Sequence, residues 1–365
     1  MSPDLGKIRC ATLNVNGFSS KPDKRLRMFT LLVKHKIDIA FVTEHHANVN
    51  NATKFEQEWA TLSQGKAIFA PTDRTGAKGV AILFGHNLKK PQISNQRISV
   101  IGRSLSVEVK INQKTNKLLC TYAPNPPRER KQFVDQVNNE ESSLLPVIWG
   151  GDFNFVEDPS LDRTGTPASY HTAGINQVRI FKNNHNLCDP FRIEYPNSRR
   201  FTYRGRPIAS NDGLPFQSRI DRFYLPKRYL NKHSTLILPI TDSDHDLVVC
   251  TFNPPSHGAK KVRGEGIWKF NTKYLQDVAF VRNIENAIDK FLPREESFDN
   301  IHKFWDALKS WFKIKSMDYI YQKSKSDKQA LNKALKDLEN ESEKLIPDHT
   351  VINRLTEEIA NFETN

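Results

Sequence analysis

Carboxylates and carboxamides recur in this chain where short apolar runs stop. The run Ile8–Leu13 leads into Asn14-Val15-Asn16-Gly17, and Ile37–Val42 leads into Thr43-Glu44. Val147–Trp149 leads into Gly150-Gly151-Asp152-Phe153-Asn154. Asp221 stands inside the apolar run Arg219–Leu225, and Asp242-Ser243-Asp244-His245-Asp246 precedes Val248–Phe252. Polar groups at strand ends are held rigidly and converge readily in one cleft, where apolar flanks partly desolvate them. Carboxylates with Asn and His supply hard oxygen ligands for Mg²⁺, a base for water and donors for a phosphate oxygen. Phosphodiester hydrolysis needs those three things.

Taken singly, each residue has an ordinary alternative. Asn16-Gly17 reads as a turn, and Glu44 reads as a solvated loop acid. Asp152 and Asn154, spaced by two on one strand face, read equally as caps of the following segment. Ser243 to Asp246 reads as a polar turn. Asp221 within an apolar run needs a partner, which an Arg or His would supply. Their joint occurrence in this order is what points to one site.

The elements that would position them are short. Further β-like runs lie at Gly79–Phe84, Leu105–Ile111 and Leu118–Tyr122, with helical patterns at Arg25–Lys36 and Asn176–Asn184. Many short strands with few helices predict a layered α/β sheet protein of about 250 residues. The composition shifts near Asn253-Pro254-Pro255-Ser256-His257-Gly258, dividing the 365 residues into a domain over 1–256 and a helical region over 257–365. In the second region Val278, Val281, Ile284, Ile288 and Phe291 recur at helical spacing, as do Ile301, Phe304, Trp305, Leu308 and Trp311-Phe312. Leu331, Leu335, Leu338 and Leu345 continue it; Pro347 ends that helix, and Val351, Ile352, Leu355, Ile359 and Phe362 form a last one. The thin apolar stripe and charged faces predict an elongated helical arm or hairpin, packing on a partner or on a second copy.

The net charge is +13, and it is uneven. From His257 onward 19 Lys and Arg meet 18 Asp and Glu, so +12 lies in the first 256 residues. Such an excess favours a polyanion, and nucleic acid is the commonest one. No run of about 18 apolar residues exists to span a membrane. Cys10, Cys120, Cys188 and Cys250 lie far apart in apolar stretches, which reads as buried thiols in a reducing compartment rather than a zinc site or disulfides.

The ordered segments Leu13-Asn14-Val15-Asn16-Gly17, Thr43-Glu44, Thr121-Tyr122-Ala123-Pro124-Asn125, Gly150-Gly151-Asp152-Phe153-Asn154, Ser218-Arg219-Ile220-Asp221-Arg222 and Ser243-Asp244-His245 resemble the endonuclease/exonuclease/phosphatase superfamily. The superfamily includes apurinic endonucleases, pancreatic deoxyribonuclease, sphingomyelinases and inositol-polyphosphate 5-phosphatases. The resemblance implies a four-layer α/β sandwich, two packed mixed β-sheets flanked by helices, here followed by the α-helical C-terminal arm. It implies that Asn16 and Glu44 hold Mg²⁺ (or Mn²⁺) with Asp244 near the metal. Asp152 would orient or deprotonate the attacking water, and Asn154 would fix its position. His245, supported by Asp221, would bind the scissile phosphate. Tyr122 would contact the phosphate or aid the leaving oxygen, Asn125 would line the cleft, and Asn14 would support the metal ligands. Apurinic endonucleases usually carry Asp at the position of Asn16, and an amide brings less charge to a cation.

Trp268-Lys269-Phe270-Asn271, the long helices after it, Leu161-Asp162-Arg163 and Arg200-Phe201-Thr202-Tyr203 resemble the N-terminal portion of non-LTR (LINE-type) retrotransposon ORF2 proteins, ahead of their reverse transcriptase. In that branch the endonuclease nicks target DNA in the nucleus, and the 3′-hydroxyl primes copying of the element's RNA. No polymerase motif occurs here, so the expectation is a fragment, a truncated copy or a domesticated remnant. Arg199, Arg200, Arg204 and Arg206 precede Asp221 on a loop that would contact DNA or remain a solvated tip, and Arg128 and Arg130 would add backbone contacts. The alternatives are an apurinic-site repair endonuclease, a lipid or inositol phosphatase of the same superfamily, and an inactive nucleic-acid-binding remnant. The basic balance weighs against the phosphatase.

Overall fold

The computed structural model describes residues 6–72, 78–141, 144–165, 169–207, 215–254, 270–342, 344 and 348–364. The chain runs through β1 (Ile8–Asn14), α1 (Pro22–Lys34), β2 (Ile39–Thr43), α2 (Ala52–Ser63), β3 (Lys66–Ala70) and β4 (Val80–Phe84). It continues with β5 (Ile93–Val100), β6 (Ser104–Ile111), β7 (Lys114–Tyr122), α3 (Pro127–Glu140), β8 (Val147–Asp152), α4 (Ile175–His185), β9 (Leu187–Cys188) and α5 (Pro190–Glu194). β10 (Tyr203–Pro207) and β11 (Pro215–Ser218) form a two-stranded ribbon. β12 (Asp221–Pro226), β13 (Ser234–Leu238) and β14 (Leu247–Phe252) complete the sheets.

One sheet has the order β13-β14-β1-β2-β4-β3 and the other β5-β6-β7-β8-β12-β9. Both are mixed: β1 runs parallel to β2, and β7 parallel to β8, among antiparallel neighbours. The inner faces share one core, in which Cys10, Ile39, Phe41 and Val80 of the first sheet meet Val107, Cys120, Ile148 and Phe223 of the second. The central strands β2, β4 and β8 are buried on both faces because helices cover the outer sides. Phe29 of α1 and Trp59 of α2 pack edge to face, and the Trp59 indole donates to Phe84 O at 2.9 Å. On the other side Phe133 and Val137 of α3 and Phe181 of α4 bury Trp149 and Tyr224. The layered α/β sandwich expected from the sequence is therefore the observed fold. Its helices are more numerous than the apolar pattern suggested. α2 and α3 spend only three apolar positions each (Ala52, Phe55, Trp59; Phe133, Val134, Val137) on their inner faces, too few to dominate the local pattern.

Contacts divide the chain into two compact units, Met1–Gly258 with Ser342–Ile346, and Ala259–Glu341 with Pro347–Asn365. The second unit is helical. α6 (Val278–Phe291) is capped by Asp277, whose carboxylate accepts from Ala279 N and Phe280 N, and it buries Phe280, Ile284 and Phe291. The helices read separately from Ile301 and from Leu331 are one 42-residue helix, α7 (Ile301–Ser342). Nothing between them breaks it, since Lys313–Ala330 contains neither Gly nor Pro. α8 (His349–Thr364) follows, with Ile352, Leu355 and Ile359 buried. Trp268, Lys269, Leu345 and Pro347 lie outside the described residues.

Candidate active site

Strand direction brings the polar segments to one end of the sandwich. Asn14 pairs with Thr43 in the parallel β1–β2 ladder, so Asn14–Asn16 and Glu44 leave the first sheet together. β14 runs antiparallel to β1, which places the preceding Asp244-His245-Asp246 at that same end. In the second sheet Tyr122 pairs with Asp152, and Asp152 pairs with Asp221. Asp221 is thus the first residue of β12, not an interior one, and its carboxylate stands beside that of Asp152. Gly151 is required here: at φ +147 its position is open only to glycine, and a Cβ would lie 1.9 Å from Thr121 O.

A buried amide joins the two sheets. Asn14 Nδ2 donates to Glu44 Oε1 at 2.8 Å and to Asp152 Oδ2 at 3.0 Å, while its Oδ1 accepts from Asn16 N at 2.9 Å. Asn16 Nδ2 reaches Asp244 Oδ1 at 2.8 Å. Ser243 Oγ donates to Asn14 O at 2.8 Å and accepts from His245 N. Burial pushes the Glu44 carboxyl up, but hydrogen bonds from His46, Asn14 and Tyr122 outweigh it and hold the group at about 2. Glu44 is therefore ionised, and its side chain keeps 21% exposure. Asn16, Glu44, His46 and Asn154 all adopt positive φ, a costly conformation for Glu above all, and such outliers gather at functional sites.

Deeper in the cleft, His245 Nδ1 donates to Asp221 Oδ2 at 2.8 Å, and the same oxygen accepts from the Thr202 hydroxyl at 2.7 Å. Burial lowers the His245 pKa, but Asp221, with Asp152 and Asp244 further off, raises it to about 10. The ring is an imidazolium at neutral pH. Asp152 is buried and pushed up, first by desolvation and then by the Asp221 charge, with His245 and Asn14 pulling the other way. Ligand atoms of Asp152, Asp221 and His245 lie within 4.8 Å of one another, and Asp221 Oδ1 is buried without a hydrogen-bond partner. This trio already contains its own cation. Asn16, Glu44 and Asp244 instead offer hard oxygens and two carboxylates at least partly open to solvent, a donor set that fits a divalent cation.

The structure brings together Asn14, Asn16, Glu44, Tyr122, Asp152, Asp221, Asp244 and His245. Asn154 differs from the expectation. It lies beyond the end of β8 at φ +51 and shares no strand face with Asp152; Asp152 Oδ1 accepts from its N, and its Nδ2 donates to Ala123 O. Asn125 is exposed on the loop after β7, and its carbonyl accepts from Arg130. Arg130 faces inward, 2% exposed, with its guanidinium given to the carbonyls of Asn154, Asn125 and Tyr170. Alternation on α3 sets this: Arg128 points to solvent and Arg130 to the core. Arg199 is exposed and donates to Arg163 O, Arg200 donates to Ile237 O, and Arg204 pairs with Asp246 at 3.0 Å. The Arg206 side chain lies outside the described residues.

Three residues escaped the sequence reading. Thr202 anchors Asp221; Tyr203 lays its ring 4.8 Å from His245; Arg103 stacks on Tyr122 at 5.0 Å beside Glu44 and Asp152. Arg200-Phe201-Thr202-Tyr203 did carry a signal, because Tyr203 bridges to His245 and Asp246 N donates to Thr202 O. Arg103 gave none, lying in a hairpin turn. Leu161-Asp162-Arg163 also gains a structural meaning: Asp162 is buried against Arg219, which reaches Asp189 with its other nitrogen, and so clamps the start of β12.

The profile of the Endonuclease/Exonuclease/phosphatase family matches residues 11–245. A Xenopus laevis protein, the "Transposon TX1 uncharacterized 149 kDa protein", is 24% identical over 339 residues, 91% of this chain; the chain spans 24% of that relative's length. Among solved structures, an AP endonuclease from Leishmania major superposes with a TM-score of 0.54 at 18% identity, over 68% of this chain and 88% of that one. An AP endonuclease from Archaeoglobus fulgidus gives 0.52 at 20% identity, over 67% and 99%. The Xenopus laevis APE2 catalytic domain gives 0.54 at 16% identity, over 70% and 94%.

Proposed function

We propose a function from one premise: the chain belongs to the endonuclease/exonuclease/phosphatase family. It is a Mg²⁺-dependent phosphodiester hydrolase that nicks DNA, of the retrotransposon target-site type. The observation that carries this reading is Asp152, with its raised pKa, set beside an imidazolium that Asp221 orients. The +12 balance of the first 256 residues and the likeness to a transposon protein support DNA as the substrate.

His245 donates to a phosphate oxygen and stabilises the charge that develops there. Asp152, as the carboxylate, takes a proton from the water that attacks phosphorus. Asn154 helps fix that water. The new O–P bond forms as the P–O3′ bond breaks, and the leaving oxygen gains its proton on the side of Tyr122. Asn125 lines the cleft, and Arg128, Arg199, Arg200 and Arg204 face the DNA backbone. Asn16, Glu44 and Asp244 would hold Mg²⁺, or Mn²⁺ in its place, with Asn14 orienting Glu44. Such an ion supplies positive charge to the phosphate and lowers the pKa of bound water. The helices α6 to α8 form an arm upstream of a polymerase region in a longer nuclear protein, and that arm packs on the polymerase, on element RNA or on a second copy.

The test is incubation of the chain with supercoiled plasmid, with and without Mg²⁺. Mg²⁺-dependent open circles, lost in Asp152→Ala and His245→Ala, support the reading. Hydrolysis of inositol phosphates without nicking sinks it. Strong preference for an abasic oligonucleotide replaces it with the repair reading, and salt-sensitive binding without cleavage replaces it with an inactive remnant.

A further inference from the structure

A second recessed surface lies at the end of the sandwich opposite the catalytic cleft. It opens where Gln64 closes α2, where His86 follows β4, and where Asn112-Gln113 turns β6 into β7. β7 begins at this end and delivers Tyr122 to the other. The cavity encloses about 400 Å³, inside the range of roughly 300–1,000 Å³ that small-ligand sites occupy. Lys89, Lys90 and Lys110 are exposed around it with His86, and no acid lines it. Asp38, the acid beneath, is buried, its carboxylate taken up by Arg9 N and by Asn87 N of the cavity wall.

The backbone supplies an independent observation. Among the described residues twelve non-glycine positions have positive φ. Four are the catalytic-end residues Asn16, Glu44, His46 and Asn154, and four more line this cavity: Gln64, His86, Asn112 and Gln113. Glycine is the low-cost residue for a helix C-cap such as Gln64 and for the second turn position held by Gln113. Asn tolerates this conformation, whereas Gln lacks the short side chain that makes it tolerable. Retaining Gln at both places costs stability and puts carboxamides at the rim of a cationic cavity.

We propose that this cavity binds a single-stranded nucleic-acid segment, separately from the strand held at the catalytic cleft. The three lysines meet phosphates. The carboxamides of Gln92 and Gln113 offer paired donors and acceptors to base edges, and Gln64, whose Oε1 accepts from Lys89 Nζ at 3.1 Å, adds its amide donor. Base pairing in a duplex occupies the Watson–Crick edges, and a duplex is too wide for a recess of this volume, so the occupant is a single strand whose unpaired edges are open to these carboxamides. The proposal rests on the nuclease reading only in taking DNA as the occupant of the other end.

The test measures binding of a fluorescein-labelled strand of about 10 nucleotides by anisotropy across a salt series, with RNA and DNA as parallel arms. It uses the full chain carrying Asp152→Asn, which removes cleavage, with and without Lys89→Gln, Lys90→Gln and Lys110→Gln together. We expect the triple variant to lose about tenfold in affinity at low salt and about 2 from the slope of log K against log salt, as expected for three lost phosphate contacts. The arm with the larger loss identifies the strand. Gln113→Gly should raise the melting temperature and still weaken binding. Unchanged affinity and slope in the triple variant, in both arms, overturns the proposal. A chain that never nicks plasmid but shows these losses refutes the nuclease reading and leaves this site standing.

Discussion

His245 Nδ1 and Asp221 Oδ2 stand 2.8 Å apart in a buried ion pair, and a third group, Thr202, donates to the same oxygen at 2.7 Å. The pair holds the ring charged. Asp221→Asn removes the charge that lifts the ring above its ordinary pKa of 6.5. In an NMR titration the His245 ring should change its protonation near pH 10 in the parent chain and several units lower in Asp221→Asn. Nicking at pH 7.5 should fall by about 10²–10³-fold in His245→Ala, the scale for losing one preorganised donor to a developing charge. Equal titration midpoints in the two chains would remove Asp221 from this role.

Asp152 must be ionised to accept a proton, and burial together with Asp221 raises its pKa. A base with a raised pKa is lost as pH falls, so the nicking rate should decline on the acid side with a midpoint above the ordinary carboxylate range. Asp152→Asn should abolish the rate at all pH values without lowering the melting temperature. A rate that stays flat down to pH 4.5 would show that Asp152 is not the base.

Glu44 is the ionised carboxylate of the proposed cation site. Chelation with EDTA should stop nicking, and Mg²⁺ should restore it. Glu44→Gln should raise the Mg²⁺ concentration for half-maximal rate by at least tenfold, since one of two charged oxygen donors is gone. An unchanged Mg²⁺ dependence would place the ion elsewhere.

Asp162 is buried between Arg219 and Arg192. Burial raises its pKa, but the arginine charges outweigh this and hold it at about 2, below its ordinary 3.8. A depressed carboxyl stabilises the fold above its unfolded pKa, and the stabilisation is lost as pH falls through the folded one. Its contribution should therefore be complete above about pH 5 and vanish toward pH 2. Asp162→Asn should cost about 3–5 kcal/mol at pH 7, the penalty for stranding a buried charge. Urea midpoints for the two chains should converge as the pH is lowered toward 2, and a constant gap would contradict the pairing.

Arg128 and Arg130 are two residues apart and have opposite fates. Arg130→Ala should lower the melting temperature by several degrees, because three carbonyls lose their donor. Arg128→Ala should leave the melting temperature unchanged and reduce the salt slope of DNA binding by about 1. The reverse pattern would put Arg130 at the DNA.

The sequence alone determined the polar residues at the strand ends, the layered α/β class, the basic first region and the helical second one. All of these are written within a few neighbouring positions, as alternation, helical spacing or local charge. It also ordered the site segments, which is why Asn14, Glu44, Asp152 and His245 were nameable in advance. Tertiary structure decided which of them touch. Asn14 reaches Asp152 across 138 residues, and Asn16 reaches Asp244 across 228. Those contacts follow from parallel pairing in two different sheets and from the packing of one sheet on the other, which no local window contains. The same long-range packing turned Arg130 inward, set Thr202 under Asp221, and gathered three lysines around a recess at the far end of the sandwich. Their side chains carry no sign in the sequence of the neighbours that the fold assigns to them.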